Sequence, residues 1–244
     1  RDTELSARGL VFQKIVPERR WKLMFNGGLY SVYEESRPLR RTSIMLDWEG
    51  LNEIVDYGDI VSAKETASLE RYEHLEQFGR VRGPLEVAGR RYMIDGLGER
   101  IHSWGIRDWD SPRMRIWLSC QFSENCALGL TKLTDEREEV TASFMHLGGR
   151  NISVKSVSID MVYGDAGSPQ SLEMELVDDE NISHKLSARV KKKAILELPS
   201  MGGHGLSLMH EVLAEFRMGD QMGYGIIEYL IRERRDLVKI LDRP

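Results

Sequence analysis

Alternation with a period of two runs through this chain and commits most of it to strands. In RMRIWLSCQF (113–122) the even positions Met114, Ile116, Leu118, Cys120 and Phe122 are apolar, whereas the odd ones carry Arg113, Arg115, Trp117, Ser119 and Gln121. Successive side chains of a strand point to opposite faces, so the pattern predicts a strand with one face on a core. NISVKSVSIDMVY repeats it through Ile152 and Val154, slips, and resumes at Val157, Ile159 and Met161. A one-residue slip predicts a β-bulge or a break between two strands. Further strands are read in RRWKLMF, LEVAGRRYMI, SLEMELV and KLSARVKKKAILEL.

Turn chemistry separates these segments at Asn26-Gly27-Gly28, Ala88-Gly89, Gly148-Gly149 and the Gly164-to-Pro169 loop. Strands this close, with few helical gaps, predict an antiparallel barrel or sandwich instead of βαβ units. Two stretches fit either period. SAKETASLERYEHLEQF could open as a helix, since Ala63, Ala67 and its charged pairs suit one. LSLMHEVLAEFRM reads better as a strand, given its flanking glycines and the β-rich surroundings. No internal repeat stands out.

Composition narrows the function. The 244 residues suffice for one large or two small domains, and 41% apolar with 30% charged residues describes a globular chain. A net charge of −5 gives no general attraction to nucleic acid or anionic lipid, and Arg189 with Lys191, Lys192 and Lys193 reads as a solvated strand face. No apolar run reaches the roughly 18 residues of a membrane span, and no signal-peptide pattern is present. The expected location is cytoplasmic. The start at Arg1 is expected of a processed or truncated N-terminus. Neither cysteine sits in a CxxC motif, and Cys120 falls on the apolar side of its strand, as a reduced core thiol would. The six histidines form no HxxxH, HxH or Cys/His set, so no metal is expected. There is no GxSxG, Walker or GxGxxG motif, and Gly202-Gly203-His204-Gly205 is read as a loop.

Chemistry is densest in DGLGERIHSWGIRDW (95–109). Trp104 and Trp109 are large plates with one N–H donor each, suited to lining a cavity for a greasy ligand. The unperturbed pKa of His102 lies near neutrality, so it could pass a proton. Asp108 beside Arg107, and Asp95 before an expected turn, are carboxylates that apolar surroundings could push toward protonation. The same residues would also serve a structural end, with the tryptophans plugging the barrel and Asp108–Arg107 in an ion-pair network.

GLGERIHSWGIRDW resembles the signature (a glycine, then (D)HSWG, then RDW) of a lipocalin-like family. That family groups the hydroxyneurosporene synthases, which are carotenoid hydratases, with AttH-type proteins. IVPERRWKLMFNG, YEHLEQFGRVRGPLEVAGRRYMIDG and GDQMGYGIIEYLIR are similar to further parts of it, so the likeness runs over residues 10–232. It implies an all-β chain of two lipocalin-like antiparallel β-barrel or sandwich domains, a partial one over 1–94 and a barrel over 95–244. It also implies an acid/base enzyme without cofactor, acting as hydratase, dehydratase, isomerase or cyclase on a hydrophobic isoprenoid-like molecule in a barrel cavity. His102, Asp108 and Glu228 are then the catalytic candidates. Trp104, Arg107, Trp109, Trp117 and Tyr224 are the ligand-contacting ones. Tryptophan faces would stabilise a carbon cation by an attraction worth about 2 kcal/mol when desolvated. The family's acid before the histidine is Ile101 here, which leaves protonation to Asp108, Asp95 or Glu228. Two other readings stay open: a carrier or sensor of a small hydrophobic ligand, and an interaction domain with a filled barrel. No nucleic-acid partner or membrane span is expected, and a homodimer is allowed for.

Overall fold

The computed structural model describes residues 3–31, 33–60, 72–105, 114–134, 139–164, 168–199 and 206–233. These residues are almost all strand, and they fall into two compact units. One is built from the chain up to Ile54 together with Gln77–Ile101. The other takes Val55–Glu76 and everything from His102 onward. The boundary expected between residues 94 and 95 therefore lies inside a strand, and the chain passes between the units three times.

The first unit is an open, curled sheet, half a barrel in extent. Strands β1 (Glu4–Ala7), β2 (Leu10–Val16), β3 (Arg20–Tyr30) and β4 (Leu39–Gly50) form an antiparallel meander. It continues through residues 77–87 of β6 (Tyr72–Val87), with β7 (Arg90–Gly105) beyond. Asn26-Gly27-Gly28, expected to turn, instead runs through β3 opposite Ser43, Thr42 and Arg41. The two glycines serve packing: a Cβ on Gly27 would stand 2.8 Å from the Phe25 ring, and one on Gly28 2.5 Å from the Leu39 side chain. Asp95 likewise precedes no turn. It sits within β7, exposed, and the Arg80 hydrogen bond leads in holding its carboxyl below the ordinary range, the opposite of the protonated acid considered above. Ala88-Gly89 does turn, with both φ angles positive (51° and 78°), as a two-residue hairpin between right-twisted strands requires.

The second unit is a closed antiparallel barrel in the order β10-β11-β12-β13-β14-β15-β8-β9. Its strands are β8 (Met114–Ser123), β9 (Cys126–Thr134), β10 (Glu139–Leu147), β11 (Arg150–Tyr163), β12 (Pro169–Asp178), β13 (Ser183–Pro199), β14 (Leu206–Met218) and β15 (Gln221–Glu233). The slip in NISVKSVSIDMVY is a register shift between Val154 and Ser156, and LSLMHEVLAEFRM is β14. Of the ambiguous stretch before β7, residues 61–71 lie outside the described residues; from Tyr72 it is β6. The even residues of β8 point inward, as the alternation predicts, into a close-packed apolar core with Leu128, Met145, Leu172, Val212 and Phe216. Burying each such side chain contributes about 1.5–3 kcal/mol before entropy. The cavity expected inside the barrel is at this level filled by the protein's own side chains.

The same unit includes β5 (Val55–Asp56), the helical turn α1 (Tyr57–Ile60) and residues 72–76 of β6. Asp56 Oδ1 accepts the Gly58 N–H at 2.9 Å, capping the turn. β5 pairs with the start of β6 through Val55–Glu76 and Asp56–Leu75. No helix among the described residues is long and apolar enough to cross a membrane.

Candidate active site

The odd residues of β8 face outward from the barrel, where alternation predicts water. Arg115, Trp117, Ser119 and Gln121 are nevertheless buried. Against this outer face lie Tyr57 of α1 and the first residues of β6. Tyr57 meets the Phe144 ring edge-on, with centroids 6.1 Å apart. His74 and Glu76, two positions apart in a strand, point the same way, and both are buried.

Glu76 is the centre of the arrangement and is fully enclosed. Its Oε1 accepts the Trp117 indole N–H at 2.6 Å and faces His74 Nε2 at 2.6 Å; its Oε2 accepts the Tyr57 hydroxyl at 2.8 Å. A buried carboxylate is tolerated only when so satisfied. With the Nε2 proton directed at Glu76, the other imidazole nitrogen of His74, Nδ1, faces Ser103 Oγ at 2.7 Å. Ser103, His74 and Glu76 thus form a continuous chain of hydrogen bonds. Gly129 on β9 makes room for it: a Cβ there would stand 2.7 Å from Glu76 Oε2 and 2.6 Å from the Phe144 ring. Tyr57 also packs edge-on to the His74 ring at 4.8 Å.

A second set of charges continues along the same outer face. Glu228 on β15 stands directly opposite Trp117, and Glu211 on β14 directly opposite Glu228. Arg115 Nη1 lies 3.1 Å from Glu228 Oε1. Burial first, then the Glu228 charge, pushes the Glu211 carboxyl above its ordinary value, with Arg115 opposing. On the other side of Trp117 is Thr131, whose buried Oγ1 has no hydrogen-bond partner; buried Gln121 Nε2 on β8 has none either. Orphaned polar atoms of this kind are rare in folded proteins and mark where a ligand or water would bind. No group of three or more metal-ligating side chains occurs among the described residues.

The residues singled out from sequence divide unevenly. Trp117 and Glu228 belong to this outer face. His102 and Trp104 share the opposite face of β7 from Ser103, where both are exposed and their rings lie 4.8 Å apart, tilted by 52°. Tyr224 is 52% exposed, further along β15 opposite Gln121. Arg107, Asp108 and Trp109 lie outside the described residues. Sequence reading did not single out His74, Glu76, Tyr57 or Ser103. The signal for two of them was present in YEHLEQF, where His74-x-Glu76 falls on one face if the stretch is a strand and on different faces if it is a helix.

A family model described as a domain of unknown function, DUF7064, matches residues 1–233. No curated protein matches the chain by sequence. Two solved structures share its fold. A kievitone hydratase from Nectria haematococca is 10% identical, over 93% of this chain and 82% of that one, with a TM-score of 0.50. CghA is 9% identical, over 91% of this chain and 74% of that one, with a TM-score of 0.54. At such identities the likeness is one of fold.

Proposed function

The chain belongs to the DUF7064 family, and we propose that it is an acid/base enzyme that adds water to, or removes it from, a hydrophobic small molecule. The observation that carries this reading is the Ser103–His74–Glu76 chain, with His74 and Glu76 buried, held by Tyr57 and Trp117. Its reaction type also draws support from the hydratase that shares the fold and from the signature's resemblance to carotenoid hydratases. That resemblance points to an isoprenoid-like substrate.

The chemistry needs a group that can give a proton and take it back. His74 is such a group at Nδ1, because Glu76 engages Nε2 and stabilises the imidazolium whenever it forms. Tyr57 and Trp117 fix the carboxylate, so the ring keeps one orientation through both halves of the cycle. In the hydration direction Nδ1 gives its proton, directly or through the Ser103 hydroxyl, to one carbon of a double bond. Water bonds to the cationic carbon, and its surplus proton returns to Nδ1, leaving the protein unchanged. The Trp117 ring, held to Glu76 through its indole N–H, is an aromatic group of this site that would attract the cation. Glu211, whose carboxyl is biased toward protonation, and Thr131 supply hydrogen bonds to a polar part of the substrate.

General acid–base assistance is worth roughly 10²–10⁴-fold in rate. His74→Ala and Glu76→Gln are therefore expected to lower turnover of an isoprenoid alcohol or alkene by about that factor, measured by mass spectrometry of the products. Signature variants His102→Ala and Asp108→Asn, run beside them, report whether those groups share the proton work. Full turnover in both His74→Ala and Glu76→Gln would refute the assignment. Bound lipid that is never converted would make the protein a carrier.

A further inference from the structure

A second polar cluster lies inside the barrel, at the end away from the β8–β9, β10–β11, β12–β13 and β14–β15 hairpins. Register places His210 opposite both Tyr229 and Ile195, and Tyr229 is part of the apolar core, so all three face the lumen. Tyr163, on β11, reaches across the lumen to Tyr229: the rings are 5.6 Å apart and the hydroxyls are hydrogen-bonded. Lys193, paired with the core residue Val212, places its Nζ 2.6 Å from Ser168 Oγ.

Two features distinguish this cluster from a plug. His210 is only 1% exposed, yet its Nδ1 has no partner. Burial, then the Lys193 charge, lowers its pKa from the ordinary 6.5, so near neutral pH the ring offers a polar atom without a charge. Ile195 and Tyr163 keep 46% and 44% of their surface exposed although their places in the strands put them on the lumen side. Beneath it the lumen is closed by Val212, Ile227 and Phe216. An ammonium group, hydroxyls and an unsatisfied imidazole nitrogen above an apolar floor suit one kind of ligand, an anionic oxygen head on a medium-length hydrocarbon tail.

We propose that this end of the barrel binds a medium-chain monocarboxylate, with Lys193 and Tyr163 meeting the carboxylate, His210 Nδ1 completing its hydrogen bonds and Ile195 packing on the chain. The site is independent of the His74–Glu76 chain, which lies on the barrel's outer face.

Calorimetric titration of the full chain with octanoate tests it. Saturable binding is expected in the wild type, weakened roughly 10- to 100-fold by Lys193→Gln, the range for losing one charge-assisted hydrogen bond. Ile195→Asp, which puts a like charge in the site, should weaken it as well. His74→Ala should leave it unchanged, and octan-1-ol should bind more weakly than octanoate. Absence of saturable octanoate binding overturns the proposal. So does binding that neither Lys193→Gln nor Ile195→Asp alters.

Discussion

Glu76 accepts hydrogen bonds from an indole, a phenol and an imidazole, and each donor can be removed separately. Trp117→Phe keeps an aromatic ring, though a smaller one, and deletes the N–H, leaving a buried carboxylate one donor short. The expected cost is about 1–3 kcal/mol, read by thermal or urea unfolding. An unchanged midpoint would mean that the 2.6 Å contact contributes nothing to stability. Gly129→Ala tests the same point from below. Its Cβ would collide with Glu76 and Phe144, so overpacking should cost about 1–3 kcal/mol and turnover should fall with it as Glu76 is displaced. Normal stability and turnover in Gly129→Ala would show that Glu76 has room to spare. At this scale the sequence was a partial guide. The densest stretch points to His102, whereas its neighbour Ser103 is the residue that meets His74. His74 and Glu76 could not be paired while YEHLEQF remained open to a helical reading, because in a helix residues two apart face different ways.

At the scale of elements, alternation was legible and the second covered face was not. The inward residues of β8 follow the pattern, and so do the bulge in β11 and the hairpin glycines. The outward residues Arg115, Trp117, Ser119 and Gln121 look solvated in sequence because they are polar or amphipathic; the partner that Trp117 meets on that side is Glu76, 41 residues away, and local periodicity carries no information about it. The β12–β13 turn offers a test of local electrostatics. Asp178 accepts from His184 at 2.9 Å and from the backbone N–H groups of Ile182 and Glu180, and these contacts, His184 first, hold its carboxyl below the ordinary 3.8. A carboxyl depressed on folding adds stability that is fully present above its unfolded pKa and is lost as pH falls through the folded one. Asp178→Asn should therefore be less stable than the wild type near neutral pH, with the gap closing as the pH falls through and below the ordinary carboxylate value. A gap that stays constant to the acid end would show that the carboxylate's charge plays no part in the turn.

For the whole molecule, the expected class holds: an all-β chain with one closed barrel and one open, curled sheet, shared with a hydratase of known structure. The compact units do not follow the sheets: β5 and the start of β6 stay hydrogen-bonded within the first sheet, yet Val55–Glu76 packs with the barrel unit, an excursion that no change in composition announces. That excursion is also what brings Tyr57, His74 and Glu76 to Trp117. The barrel interior is packed at its centre, so the proposed chemistry sits on its outer wall and the proposed carboxylate site at the end of the lumen away from the hairpins. The proposed function rests on the Ser103–His74–Glu76 chain. The measurement that tests it most directly is oxygen exchange with the wild-type protein and an isoprenoid lipid extract in heavy-oxygen water, read by mass spectrometry. Hydration and dehydration pass through the same transition state, so label enters a hydroxyl whichever direction is favoured. The account predicts an alcohol carrying heavy oxygen, formed by the wild type and not by His74→Ala. Lipid bound but unlabelled, or label entering equally in His74→Ala, would contradict it.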